Sequence, residues 1–298
     1  YWLRIKRDKR IYEILKQMKN NFFEKGETPW DNEKILGNLS NFINLYEDRP
    51  IKNNKGGMLF AQLFYFYNIL INIKPELVIE SGVFKGQSTW LIEKTLPECE
   101  IISIDTDLNQ REYISKKALY TSKDFKFNDF SNIPTNSLVL FDDHVNHLER
   151  IMEANFFGIK DLVFEDNYPK FKGDFQSIKQ FYENYNFNHH PGLLSLIKTN
   201  LLFNNIFLKK IFIKEYNAKK DLDKITKRIR DGYSEYDWFK NISKMIECYY
   251  EFPPLIKSTN EKYIGKIKDP IFDILPSSVN KYSSQINEHN FLTYIKLI

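Results

Sequence analysis

The chain has 298 residues, of which 42% are hydrophobic and 28% charged, enough for one large α/β domain or a core with additions. Its net charge is only +4, and the basic clusters Arg4 to Arg10 and Lys219 to Arg230 alternate with acidic and apolar residues. They read as solvated helix faces, with phosphate or membrane-surface contact as the minority reading, and no nucleic-acid partner is expected.

The two cysteines, Cys99 and Cys248, have neither metal-ligand nor redox spacing, so a reducing cytoplasm is the expected compartment. The longest apolar stretch, "MLFAQLFYFYNILINI", is broken by Gln62, Asn68 and Asn72 and falls short of a transmembrane segment. The first ten residues are too charged for a signal peptide. The expectation is a soluble cytoplasmic protein, self-association into a homo-oligomer being left open.

Along the chain, residues 1–47 read as two amphipathic helices around "KGETPWDN", with Asp31 as N-cap. "DRPIKNNKGG" (48–57) is a polar loop, and a buried helix follows from about Met58 to Ile73. The pattern then changes to short apolar runs alternating with helical segments. Strands are expected at "LVIES" (77–81), "EIISID" (100–105), "FKFND" (125–129), "SLVLFDD" (137–143) and "KDLVFEDN" (160–167). Helices are expected at "QSTWLIEKTL", "NQREYISKKAL" and "HLERIMEANFFG". Such alternation predicts βαβ units and a Rossmann-like, mostly parallel sheet with helices on both faces. Residues 192–248 look helical and polar. "CYYEFPPLI" and "NFLTYIKLI" read as late strands that add an antiparallel edge. The predicted organisation is an N-terminal helical extension (1–57) and one main domain (58–298) with a helical insertion at about 192–248.

The first chemically informative stretch is "ELVIESGVFKGQSTWLIEK" (76–94). A strand ends on Glu80, and Gly82 and Gly86 stand four apart before a helix-opening Ser88–Thr89 pair. A phosphate-binding P-loop needs G-x4-G-K-[ST], but the glycines are one residue too close and Gln87 stands where lysine belongs. A dinucleotide fingerprint needs a middle glycine, and Phe84 occupies that place. What remains is an E-x-G-x-x-x-G loop, acidic and without lysine. It suits a cationic or zwitterionic ligand better than a phosphate.

Further on, "LVLFDDH" and "LVFEDN" place Asp142, Asp143, His144, Glu165 and Asp166 at the carboxyl ends of consecutive predicted strands. Carboxylates at that density need a cation or a shared proton to relieve their repulsion. Oxygen ligands favour Mg²⁺ or another hard divalent ion.

The glycine loop resembles the first motif of class I S-adenosylmethionine (SAM) dependent methyltransferases, and the resemblance extends through about residues 54–185 with a weaker echo in the C-terminal strand. It implies that Glu80, Gly82, Gly86 and Ser88 hold the methionine part of SAM. It also implies that Asp105 accepts the ribose hydroxyls, with Asp107 beside it as a helix cap, and that Asp129 meets the adenine amino group. The acidic segments are similar to those of metal-dependent O-methyltransferases. The catechol type matches Asp142 with Asp166 and Asn167; sugar- and antibiotic-modifying relatives match Glu165 with Asp166. The metal set implied is therefore Asp142, Asp143, Glu165, Asp166 and Asn167. His144 is the candidate base, with His147 second; the spacing D-D-H departs from the D-x-x-H of the sugar-modifying relatives. His189 and His190 read as loop residues.

The implied activity is Mg²⁺-assisted O-methylation, with a sugar or glycan hydroxyl as the favoured acceptor. Tyr168, and the loop containing Gly173 and Asp174, could form an acceptor wall, while Gly56 and Gly57 could line the cofactor side. The alternatives are a non-sugar acceptor, a nucleotide-sugar oxidoreductase, and a non-catalytic SAM-fold module.

Overall fold

A computed structural model describes residues 24–32, 34–169, 172–182, 235–256, 270–274, 276–286 and 291–298. The chain divides into two compact units. One comprises residues up to His144, Glu153–Asp166 and Ile246–Ile298; the other comprises Val145–Met152 and Asn167–Met245.

The first unit is built on a seven-stranded sheet. Its strands are β1 (Leu77–Ser81), β2 (Glu100–Ile104), β3 (Ala118–Thr121), β4 (Ser137–Phe141), β5 (Asp161–Phe164), β6 (Ile246–Glu251) and β7 (Thr293–Leu297), in the order β3-β2-β1-β4-β5-β7-β6. The five strands from β3 to β5 pair in parallel. β7 runs antiparallel to both β5 and β6, so β6 points the same way as the parallel strands and only β7 is reversed. This Rossmann-like arrangement matches the expected fold class, and the expected antiparallel edge narrows to one reversed strand. Every residue of β1 and of β4 is buried. That is why both read as unbroken apolar runs, as strands covered on two faces do.

The strand order turns back between β1 and β4, and ligands of open α/β sheets bind beyond the carboxyl ends of strands at such a point. Both segments singled out in the sequence, the glycine loop and the acidic run, leave from this place.

Helix α1 (Leu39–Glu47) follows a 3-10 turn at Ile35–Asn38. Asp31 does not cap it: Asp31 forms an exposed ion pair with Lys34, ahead of the turn. The other expected N-terminal helix lies outside the described residues. α2 (Phe60–Ile73) buries nine of its fourteen residues, as its nearly all-round apolarity requires. α3 (Gln87–Thr95) starts directly after Gly86. α4 (His147–Phe156) follows the acidic run. Of the helical insertion expected over 192–248, the described part is α5 (Glu235–Met245), and its last three residues belong instead to strand β6; His189 and His190 lie outside the described residues. A short α6 (Ser283–Ile286) precedes β7.

One segment departs from the sequence reading. The helix expected at "NQREYISKKAL" is replaced by a 3-10 turn at Leu108–Gln110, and the third strand is Ala118–Thr121. The strand expected at "FKFND" is a 3-10 turn, Phe125–Phe127. Side chains that bond their own backbone explain both changes. Asp107 accepts from Asn109 N and Asp124 from Lys126 N, while the Ser115 hydroxyl accepts from the backbone of Lys117 and Ala118 at 3.0 and 3.3 Å. Such bonds offer the backbone an alternative to both helix and ladder. Among the described residues, no helix is long and apolar enough to cross a membrane.

Candidate functional site

The glycine loop is shaped by its neighbours. Gly82 has φ +100°, and a Cβ placed there would lie 2.0 Å from the Asp142 carbonyl oxygen. Gly86 has φ +90°, and its Cβ would lie 2.5 Å from the Tyr113 carbonyl oxygen. Each position therefore needs glycine twice over, for its backbone conformation and for the chain pressed against it. Between them Phe84 takes a left-handed φ of +48°, uncommon for a residue with a side chain. Asp105 compensates: its Oδ2 accepts from Val83 N and Phe84 N at 2.8 and 2.9 Å, and its Oδ1 accepts from Asp107 N at 2.9 Å. The residue expected to meet ribose is thus also the clamp of the loop.

The "NNKGG" segment packs on the same loop. A Cβ on Gly57 would fall 3.2 Å from the Phe84 ring and 2.9 Å from the Asn54 amide nitrogen, and Lys85 Nζ donates to Asn53 O at 3.1 Å.

Several polar groups buried around this loop lack partners among the described residues. Glu80 is wholly buried; its Oε2 accepts from Thr89 Oγ1 at 2.5 Å and Ser103 Oγ at 2.7 Å. Its Oε1 has no hydrogen-bond partner among the described residues. Burial raises the Glu80 pKa, opposed by the hydroxyls of Ser88, Thr89 and Ser103 and reinforced by Asp105. Gln87 is buried at the start of α3 with neither amide atom partnered, and Asn54 Oδ1 is in the same state, among the described residues. A buried polar atom left without a partner costs about 1–3 kcal/mol, so this set suits a polar ligand. The amino, carboxylate and hydroxyl groups of SAM are of the right kind. Asp129, by contrast, is exposed and accepts from Ser131 N at 3.0 Å, as a turn residue does.

At the ends of β4 and β5 the ladders run on past the strands: Asp142 N donates to Ser81 O at 2.7 Å, and Glu165 N to Phe141 O at 3.1 Å. These bonds bring the two acidic segments side by side. Asp142, His144 and Asp166 each offer a ligand atom within 4.8 Å of the others. His144 Nε2 stands 3.4 Å from Asp166 Oδ2, and a left-handed φ of +55° at His144 turns the chain there. Asp143 faces back to β1, where its Oδ2 accepts from Ser81 Oγ at 2.5 Å. Of the two adjacent aspartates, Asp142 is the one in the cluster.

Glu165 is buried and accepts from Gln62 Nε2 on α2. Burial, then Asp166 and Asp142, push the Glu165 carboxyl well above its usual range. Burial, then Asp166, Asp143, Glu80 and Asp105, do the same to Asp142. These shifts favour the protonated forms of both acids, and a divalent ion would compete with those protons. The carboxylate oxygens are of the type that hard divalent ions accept, whereas the imidazole is a ligand better suited to transition metals.

Five of the expected residues, Asn167, His147, Tyr168, Gly173 and Asp174, belong to the second unit. Asn167 Oδ1 accepts from Lys179 N at 2.9 Å. His147 Nδ1 accepts from Ile178 N at 3.3 Å; burial lowers its pKa to about 3, which keeps it neutral. The Tyr168 ring covers Gly173, whose Cβ would lie 2.6 Å from it. Asp174 is exposed. Sequence reasoning missed Gln62 and Ser81 as holders of Glu165 and Asp143. Gln62 did carry a signal, as an amide interrupting an apolar helix.

No family model matches the chain, and no curated protein matches it. Among solved structures, an apo form of CmcI is 17% identical over 45% of this chain and 57% of its own, with a TM-score of 0.33. CmcI with Mg and SAM is 15% identical over 56% and 72%, with a TM-score of 0.32. A candidate caffeoyl-CoA O-methyltransferase from Staphylococcus aureus is 10% identical over 89% and 99%, with a TM-score of 0.40. The match to the first of these spans less than two thirds of that protein. At such identities and scores, the fold assignment rests on this chain's own strand order.

Proposed function

We propose that this chain is a SAM-dependent O-methyltransferase assisted by a divalent cation, with a sugar or glycan-type hydroxyl as its acceptor. The observation that carries the reading is the juxtaposition at the sheet's turning point. A glycine loop bordered by unpartnered buried polar groups lies against an acid–imidazole cluster, with the Asp142 carbonyl seated on Gly82.

In this reading Glu80, Gln87, Ser88 and the backbone around Gly82 and Gly86 hold the donor, and Asp105 keeps the loop in shape. Asp142, Asp166 and Glu165 would hold a divalent cation, Asp143 supporting them from Ser81; when bound, the ion lowers the pKa of an acceptor hydroxyl. His144 accepts the hydroxyl proton on its ring, and Asp166, 3.4 Å from Nε2, stabilises the imidazolium that results. The chain's contribution to the displacement is alignment of acceptor and methyl group. Asn167 and Asp129 remain in the proposed ligand sets by resemblance only.

A second role for His144 has an observation in its favour. Its ring offers a nitrogen within 4.8 Å of both aspartates' ligand atoms, close enough to act as a ligand instead of a base. The acceptor class rests on the resemblance of the "DDH" and "FEDN" segments and on the supply of aromatic residues, and cytoplasmic location belongs to the same proposal.

Calorimetric titration with S-adenosylhomocysteine (SAH) tests the donor half. Transfer of labelled methyl from SAM to a panel of sugars, glycans and phenols, with Mg²⁺ or EDTA, tests the rest. Absence of SAH binding overturns the reading; EDTA-insensitive transfer overturns its metal half, and transfer to phenols alone overturns the sugar acceptor.

A further inference from the structure

We infer that Gln62 is a positioning residue for the candidate cation site, acting through Glu165; the inference rests on the metal half of the function proposed above. Gln62 lies in the first turn of α2, a mostly apolar helix that packs in the core of the first unit. A polar amide there needs a reason, and both of its ends have one. Its Oε1 accepts from the backbone N–H of Leu59 at 2.8 Å, closing the start of the helix, and its Nε2 donates to Glu165 Oε1.

The order of these bonds fixes the chemistry. A backbone N–H only donates, so the amide oxygen must face Leu59. The NH₂ group must then face Glu165, and that carboxylate oxygen must accept. Gln62 therefore presents Glu165 with a neutral donor in a place crowded with acids, and holds one oxygen of the carboxylate next in sequence to Asp166. Groups that orient metal ligands in this way are as much part of a site as the ligands. The consequence reaches further along the chain. Leu59 follows directly on the segment whose Gly57 packs against Phe84 and whose Asn53 carbonyl receives Lys85. One short stretch, residues 53–62, thus touches both the donor loop and the acidic cluster.

The test is titration of the full chain with Mn²⁺ in the presence of SAH, followed by the electron paramagnetic resonance signal of the free ion. Gln62→Met keeps the side chain's length and removes both polar ends. It is expected to weaken Mn²⁺ binding about 10- to 100-fold while leaving the calorimetric affinity for SAH unchanged. Gln62→Asn, too short to span Leu59 and Glu165, should give the same loss with polarity retained. In a Glu165→Gln background, Gln62→Met should have no further effect, since the two act as one unit. Unchanged Mn²⁺ affinity in both Gln62 variants, or an undiminished loss in the Glu165→Gln background, overturns the inference and leaves the metal reading standing. A wild-type chain that binds SAH but no Mn²⁺ overturns both.

Discussion

Replacing Gly82 with alanine tests the contact on which the candidate site depends. The φ of +100° lies where L side chains are strained, and the new Cβ would stand 2.0 Å from the carbonyl oxygen of Asp142. Backbone strain of that kind costs about 1–3 kcal/mol. Relief by movement requires the Asp142 carbonyl to retreat by about 1.4 Å to reach ordinary contact. That carbonyl belongs to the residue whose carboxylate faces His144 and Asp166, so the strain in the donor loop is passed to the acidic cluster. A loss of about 2 kcal/mol corresponds to roughly 4–8 °C in Tm for a domain of this order of size. A misplacement of about 1 Å costs on the order of 10²-fold in turnover. Gly82→Ala should therefore lower Tm by several degrees in calorimetry and weaken Mn²⁺ and SAH binding together. A variant with unchanged Tm and unchanged affinity for both would refute the seating of Asp142 on Gly82, and with it the coupling of the two halves.

Asp142→Asn should abolish measurable Mn²⁺ binding, whereas Asp143→Asn should weaken it only modestly, because Asp143 answers to Ser81; equal losses in spin-resonance titrations would contradict that division. Mn²⁺ affinity should rise with pH across the acidic-to-neutral range, since burial and mutual repulsion keep Asp142 and Glu165 protonated above the usual carboxylate range and the ion must displace those protons; a flat profile would count against the cluster as the site. His147 has its pKa lowered to about 3 by burial, so the unfolded chain binds the extra proton first. The stability it supports is present above about pH 6.5 and is lost toward pH 3, at about 1.4 kcal/mol per pH unit. Urea unfolding of His147→Gln should show a shallower acid slope than wild type; an identical slope would contradict the buried neutral imidazole. Asp105→Asn leaves one acceptor oxygen for either the Val83 and Phe84 amides or the Asp107 amide, and should cost SAH affinity even if ribose is never touched; SAH analogues lacking the ribose hydroxyls, measured by calorimetry, separate the two roles.

The fold was legible because its strongest elements are its most buried ones. β1, β4 and β5 are near-continuous apolar runs, which nothing but a covered strand or helix explains, and their length decides for strand. The third strand was not legible. "ALYT" is half-buried at the sheet edge, so it carries no apolar run. Its neighbours' fates were decided by Asp107, Ser115 and Asp124 bonding to nearby N–H groups, which periodicity does not register. The acidic cluster was visible as a density of carboxylates, but its division of labour was not. Asp142 and Asp143 are adjacent, and which one joins the cluster follows from Ser81 on another strand, a pairing fixed only when β1 and β4 lie in register.

The same register gives a reason why the donor loop and the acidic run meet at all. Ser81 pairs with Phe141, and one residue beyond each strand the chains must part, since both turn out of the sheet. They part late: Asp142 N still donates to Ser81 O, and the Asp142 carbonyl then reaches the space that a side chain at position 82 would fill. A glycine at 82 therefore does for the acidic run what it is usually credited with doing for a ligand. The atoms of Glu80, Gln87 and Asn54 left without partners among the described residues are the part of the loop that points to a bound molecule. On this division the glycines report the closeness of two loops, and the orphaned polar atoms are where the proposed donor is to be tested.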